Sequence, residues 1–305
     1  MPNEISTTTA SETPLNASRR SLLRNAGLGA ALAGATTFGL TKGAQAQSSG
    51  GLNDYDILNF ALNLEYLEAE FYQFAVYGHG LSVANSTGGD GSAPGFIDGG
   101  TKVSFTTPVI AELAAEIAND EYNHVVFLRQ ALGSMAVARP AIDLVGSFTT
   151  LARAAGVVGP SGTFNPYANE DDFLLGAFIF EDVGVTAYLG AAQYISNKDY
   201  LTAAGGILAV EAYHAAAIRT QLIQAGLKGP ANKISALRAA LSSAVVSGQG
   251  DDVGIGTASK PVFVAADANS IAYARTTGQV LNIVYGGGSS SDYLFYPNKL
   301  NGTIS

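Results

Sequence analysis

Glu121-Tyr122-Asn123-His124 and Glu211-Ala212-Tyr213-His214 decide how this chain reads. Each sets a Glu three residues before a His, which on an α-helix puts both side chains on one face. The chain holds eleven Glu and three His among 305 residues, so two such pairs on two long helical segments are far above chance. Their neighbours say which face it is. Four before and seven after each Glu stand Ile117 and Leu128 in one segment, Ile207 and Ile218 in the other. Both pairs therefore lie in an apolar stripe, where a helical bundle has its interior.

Two further helices complete the pattern. Glu65 precedes Tyr72 by seven residues, and Glu181 precedes Tyr188 by seven. Seven residues are two turns, so each Glu shares a face with its Tyr. Leu58, Leu62 and Ala69 flank Glu65 on that face; Leu174, Ala177, Phe178 and Gly184 flank Glu181. The chain is thus a tandem repeat: a helix with Glu-x6-Tyr, a helix with Glu-x-x-His, and both again.

Periodicity and capping signals predict the first helix over about 54–77, opening after Asn53 or Asp54. A Gly/Ser-rich loop over 78–106 follows. The second helix starts at Thr107-Pro108, a cap followed by proline at the first helical position, and ends before Gly133. The third runs from Asn169–Asp171 to Ser196 with an acidic N-terminus, the fourth over 199–225, and a fifth, amphipathic segment over 231–246. A short helix is expected near 141–155. The remainder, 248–305, is rich in Gly, Ser, Asn and Tyr, with a β-prone patch at Val280–Tyr285, and reads as an irregular extension that wraps the bundle or mediates subunit contact. The class is all-α, an antiparallel four-helix bundle with an additional C-terminal helix and an irregular tail.

Four carboxylates and two imidazoles aimed into an apolar interior need a partner, because an uncompensated buried charge is expensive. Two divalent cations would neutralise the four carboxylates. The absence of cysteine removes thiolate sites, and oxygen-rich ligation with one imidazole per ion suits Mn or Fe. Glu68 also sits on the first helix, one turn from Glu65, as a second acidic candidate; Glu65 is preferred as ligand because it keeps the seven-residue step to tyrosine. His79, between two glycines, reads as a solvated loop residue.

At these residues the chain resembles the ferritin-like superfamily. The words Leu58-Asn59-Phe60-Ala61-Leu62-Asn63-Leu64-Glu65-Tyr66-Leu67-Glu68 and Arg275-Thr276-Thr277-Gly278-Gln279-Val280-Leu281 resemble its desiccation-related branch, which is similar in layout to manganese catalases and rubrerythrins. The resemblance implies a dinuclear centre with Glu65, Glu121, His124, Glu181, Glu211 and His214 as ligands, Glu121 and Glu211 bridging. Glu68, Tyr72 and Tyr188 are the candidates for catalytic roles. The long loop over 78–106 departs from the compact subunits of ferritin cages.

The N-terminus is an address. Ser18-Arg19-Arg20-Ser21-Leu22-Leu23-Arg24 leads into a weak Ala/Gly-rich apolar run, then Lys42 and Ala44-Gln45-Ala46. Paired arginines before a weak h-region and an A-x-A site resemble a twin-arginine export signal, residues 1–46, cleaved after Ala46. The bundle is then expected over 47–247 and the extension over 248–305. The product would be periplasmic or secreted, with no later stretch of transmembrane length free of charge. The net charge of −9 argues against nucleic-acid partners. The expected partner is a small oxidant, hydrogen peroxide or dioxygen, and the expected assembly a homo-oligomer. Catalase-like handling of peroxide leads the functional readings. The alternatives are a ferroxidase or iron-binding protein, and a non-enzymatic desiccation-stress protein with structural metals.

Overall fold

The computed structural model describes residues 51–247, 251–287 and 293–305. The expected export signal and its cleavage site lie outside the described residues. In chain order the elements are α1 (Asp54–Tyr77), β1 (Ile97–Asp98), α2 (Pro108–Leu132), β2 (Ile142–Asp143), α3 (Gly146–Ala154), α4 (Glu170–Ala192), α5 (Lys198–Gln224), α6 (Lys228–Val245) and α7 (Thr277–Val284). The helix starts follow the capping chemistry. Asn53 caps α1 in a reciprocal box with Asp56, Asn169 accepts from the Asp172 amide, and Asn197 accepts from Asp199 and Tyr200. At α2 Pro108 takes the first position, but the expected cap residue Thr107 makes no side-chain cap hydrogen bond and gives its hydroxyl to Glu170 instead.

Cross-helix contacts fix the directions. Gln73 on α1 donates to the Ala118 carbonyl of α2 at 2.8 Å, and Asn59 donates to the Met135 carbonyl just past α2. These helices run antiparallel. Tyr72 meets Glu181 while Tyr188 meets Glu65, so α1 and α4 are also antiparallel. Pairing of His214 with Glu121 and of His124 with Glu211 gives the same relation for α2 and α5.

The repeat read in the sequence is an approximate two-fold in space. Adding 116 carries α1 positions onto α4, and adding 90 carries α2 positions onto α5. The rule extends to the helix ends. Asp54 accepts from the Ser196 and Asn197 amides, each at 2.8 Å, and its counterpart Glu170 accepts from those of Thr106 and Thr107 at 2.8 and 2.9 Å. Each hairpin thus clasps the other at the start of its second helix. These hydrogen bonds hold the Glu170 carboxyl down at about 2, the Thr107 hydroxyl contributing most.

Helices α4 and α5 are long and apolar enough to cross a membrane by length and composition. For α4 the cause is coverage: α1, α5, α6 and α7 all pack on it, and its apolar window is almost wholly buried. The window of α5 is only one-third buried.

The loop over 78–106 is fastened to the α2–α3 connection. Strands β1 and β2 pair in parallel, and Arg139 donates both to Glu70 on α1 and to the Gly95 carbonyl. Glu70 also accepts from the Leu81 amide at 3.1 Å. It is a buried structural anchor.

The described part of the extension is irregular apart from one element, and the expectation of a β-prone patch at 280–285 is corrected. Residues 277–284 form α7, opened by a Thr276–Gln279 capping box that outweighs the β propensity of the Val/Ile run. The extension is tied down by a buried ionic cluster. Arg219 of α5 grips Asp182 of α4 with two hydrogen bonds of 2.9 and 2.8 Å. Arg238 of α6 reaches Asp182 at 2.8 Å and Asp252 at 2.9 Å. Arg275 reaches Asp252 at 2.8 Å, Ser242 at 2.8 Å and Thr186 at 2.9 Å. Gly190 on α4 is required here, because any Cβ would collide with the Arg275 carbonyl.

Candidate metal centre

The six side chains named from the sequence meet in the bundle interior. Glu65, Glu121 and Glu211 are fully buried, Glu181 all but so, and His124 and His214 nearly so. Glu121 spans the cluster: Oε2 lies 3.2 Å from His124 Nδ1 and Oε1 lies 3.0 Å from His214 Nδ1. Glu65 Oε2 is 3.2 Å from His124 Nδ1, and Glu181 Oε2 is 3.4 Å from His214 Nδ1. Glu211 Oε1 lies 3.8 Å from His124 Nδ1. Donor atoms fall into two groups, each within 4.8 Å: Glu65, Glu121, His124 and Glu211 in one, Glu121, Glu181 and His214 in the other. Glu121 belongs to both, whereas Glu211, the other residue expected to bridge, falls in the first alone. The imidazole centroids are 6.4 Å apart.

Whether this arrangement fits metal ions is decided by its unsatisfied atoms. Glu121 Oε1, Glu181 Oε2, both oxygens of Glu211 and His214 Nδ1 are buried without a hydrogen-bond partner. Buried polar atoms are normally paired, and several such orphans converging on one place mark a missing ligand. Among the described residues no Lys or Arg forms an ion pair with any of the six. The proton balance agrees. Burial raises the Glu65 carboxyl to about 7 against the pull of His124, and drives Glu211 well above the carboxylate range with Glu68 adding to it. Burial works against charged imidazoles, yet the surrounding glutamates raise His124 to about 11 and His214 to about 12. Burial also opposes ionisation of Glu121, but the two histidines hold it well below the usual range. The cluster therefore gathers protons to supply the positive charge that two divalent cations would bring. The donor set fits them.

Tyr72 and Tyr188 face the interior with Glu65 and Glu181, as the seven-residue spacing predicts, but neither hydroxyl meets the glutamate of its own helix. Each reaches across the two-fold: the Tyr72 hydroxyl donates to Glu181 and the Tyr188 hydroxyl to Glu65. Glu68 joins the cluster. Burial first, then Glu121 and Glu65, push its carboxyl well above its usual value. It borders an otherwise apolar cavity of about 20 Å³ closed by Ile283 and Val284 of α7 and by Phe295, room for one water. Glu211 fills the space beside Gly184: a Cβ there would fall on its Oε2. His79 is exposed, in the loop, away from the cluster.

One participant escaped the sequence reading. Asp120 Oδ2 lies 3.2 Å from His214 Nε2. The available signal was its place directly before Glu121, about 100° round the helix, facing the α2–α5 seam instead of the interior.

A family model described as a ferritin-like domain matches residues 53–224, the span of the four long helices. The chain is 30% identical over 268 residues to the ferritin-like catalase Nec2 of Nesocodon mauritianus, covering 83% of this chain and 85% of that one. It is 31% identical over 244 residues to the desiccation-related protein PCC13-62 of Craterostigma plantagineum, covering 75% and 76%. Two antiparallel hairpins related by a two-fold, with a carboxylate–histidine cluster between them and relatives of these kinds along most of its length, place the chain in the ferritin-like family, in its desiccation-related branch.

Proposed function

We propose that this protein holds two Mn or Fe ions among Glu65, Glu121, His124, Glu181, Glu211 and His214, and disproportionates hydrogen peroxide to water and dioxygen. The observation that carries the reading is the convergence of orphaned buried atoms of Glu121, Glu181, Glu211 and His214, with one Glu121 oxygen turned to each histidine. A relative named as a ferritin-like catalase supports the choice of reaction. When bound, such an ion pair supplies two coupled one-electron changes and Lewis acidity.

The chain's own residues do the rest. Glu121 ties the two positions together, and the pairs Glu65 with His124 and Glu181 with His214 flank it. Tyr72 and Tyr188 each bind one oxygen of a flanking glutamate, so the other oxygen faces inward. Glu68, whose carboxyl is pushed upward by burial and by Glu121 and Glu65, is the candidate to supply a proton to a leaving oxygen. Helix α7 and Phe295 exclude bulk water on that side.

Disproportionation draws electrons from peroxide itself, which suits a chain without cysteine acting away from cytoplasmic reductants. The export reading belongs to the same proposal: Arg19-Arg20 directs the folded protein outward, and its mature N-terminus is Gln47. Oxygen release from peroxide by the Mn-loaded protein tests the reading. Turnover in the native chain and its loss in His214→Ala is the expected result; no oxygen from loaded protein, or equal oxygen from the variant, overturns it. Consumption of Fe(II) without peroxide turnover would point to the ferroxidase alternative.

A further inference from the structure

We propose that Asp120 is a positioning residue for His214 and makes the two ion positions unlike. The inference rests on the two-ion reading above. The two halves match at Glu65 and Glu181, Tyr72 and Tyr188, Glu121 and Glu211, His124 and His214, and at the clasps of the helix ends. Where α2 carries Asp120, however, the matching position of α5 carries Val210.

The consequence is chemical. His214 turns Nδ1 inward, 3.0 Å from Glu121 Oε1 and 3.4 Å from Glu181 Oε2, and its Nε2 faces Asp120 Oδ2 at 3.2 Å. An imidazole that donates Nε2–H to a carboxylate keeps the Nδ1 lone pair for the interior, at a fixed ring angle and with raised basicity. His124 also turns Nδ1 inward, towards Glu65 and Glu121, but a valine at the matching place accepts nothing. Among the described residues no protein group accepts from its Nε2. The donor sets differ as well, since Glu211 groups with His124 and not with His214. One position thus has a buttressed imidazole and fewer carboxylates; the other has more carboxylates and a histidine with no acceptor behind it. The Asp120 side chain is 33% exposed, so its contact with His214 adds little to folding stability. Its value lies in ring orientation.

Calorimetric titration of the metal-free chain with Mn(II), repeated with Co(II) to read ligand-field bands, tests this. The native chain should bind two ions in two distinguishable steps. Asp120→Ala should weaken one step by about 10–100-fold, leave the other in place, alter only one set of Co(II) bands, and keep the metal-free Tm. Asp120→Asn still accepts from Nε2 and should recover much of the loss. Val210→Asp should tighten the step that Asp120→Ala leaves alone. If both steps shift together in Asp120→Ala, or neither shifts, the inference fails while the two-ion reading stands. If the native chain takes up neither ion, the two-ion reading fails and this inference with it.

Discussion

Glu181 and Asp182 are neighbours on α4, both buried, and they belong to opposite kinds of polar cluster. Asp182 faces Arg219 and Arg238, part of a set in which three arginines meet three aspartates and each guanidinium rests on a carboxylate. Glu181 faces His214 and Tyr72 in a set of five glutamates and two histidines, with orphaned atoms at its centre. The first set is closed by opposite charges as folded, Arg238 Nε lying 2.9 Å from Asp252 although it makes no hydrogen bond, and its work is to fasten the extension to α4, α5 and α6. The second is incomplete as folded, and incompleteness of that kind is what a binding site looks like. Burial alone separates nothing here; the matching of each charge by an opposite one does.

The largest expected effect comes from treating the two neighbours alike. Asp182→Ala leaves two buried guanidinium groups short of a partner and should cost about 3–5 kcal/mol in denaturant unfolding of the metal-free protein. Glu181→Gln removes one charge from a like-charged cluster while keeping an acceptor for Tyr72. It should leave metal-free stability unchanged or higher and abolish one ion's binding. Equal destabilisation by both would erase the distinction.

The same contrast is readable in sequence, unevenly. The ligand cluster repeats a local spacing on helices, so the Glu-x-x-His and Glu-x6-Tyr patterns expose it, and the cap residues Asn53, Thr107 and Asn169 expose the helix starts. The ionic cluster joins Asp182, Arg219, Arg238, Asp252 and Arg275 from four separate elements, and no local period links them. The crossing of Tyr72 to Glu181 was hidden for a related reason: same-face spacing says which way a side chain points, not which helix it meets. The two-fold does expose one relation in retrospect. Tyr66 with Arg129 on one side corresponds to Asp182 with Arg219 on the other, where exchange of tyrosine for aspartate builds the ionic cluster. Helix α7 was legible too, since Thr276-Thr277-Gly278-Gln279 spells a capping box that its Val/Ile run obscured.

Acidity should separate the clusters next. Glu65 has a folded value of about 7 against an ordinary 4.5, so the stability it contributes is present below 4.5 and lost as pH rises to about 7. The raised histidines extend that loss upwards, from their ordinary 6.5. Asp252 is depressed: burial opposes it, but Arg238 and Arg275 pull its carboxyl below 3.8, so its contribution is present above 3.8 and lost as pH falls further. Metal-free protein should therefore lose unfolding free energy between about pH 5 and pH 8, and bound metal should cancel that decline. A metal-free stability that climbs over this range would contradict the account of the ligand cluster.

The smallest effect concerns the crossed tyrosines. Tyr72→Phe and Tyr188→Phe each remove one hydrogen bond to a buried carboxylate across the two-fold, and each should cost about 1–3 kcal/mol of metal-free stability. Their costs should be similar, because the environments correspond. A marked difference would show that the two-fold is broken more deeply than at Asp120.

We propose that the interior of the four long helices is built for two metal ions. Elemental analysis of the chain produced with both Mn and Fe supplied tests it most directly. Two ions per chain in the native protein, and their loss in Glu121→Ala with the fold retained by circular dichroism, is the result this account predicts. A native chain that carries neither metal, with its Glu–His pairs satisfied by protons alone, would contradict it.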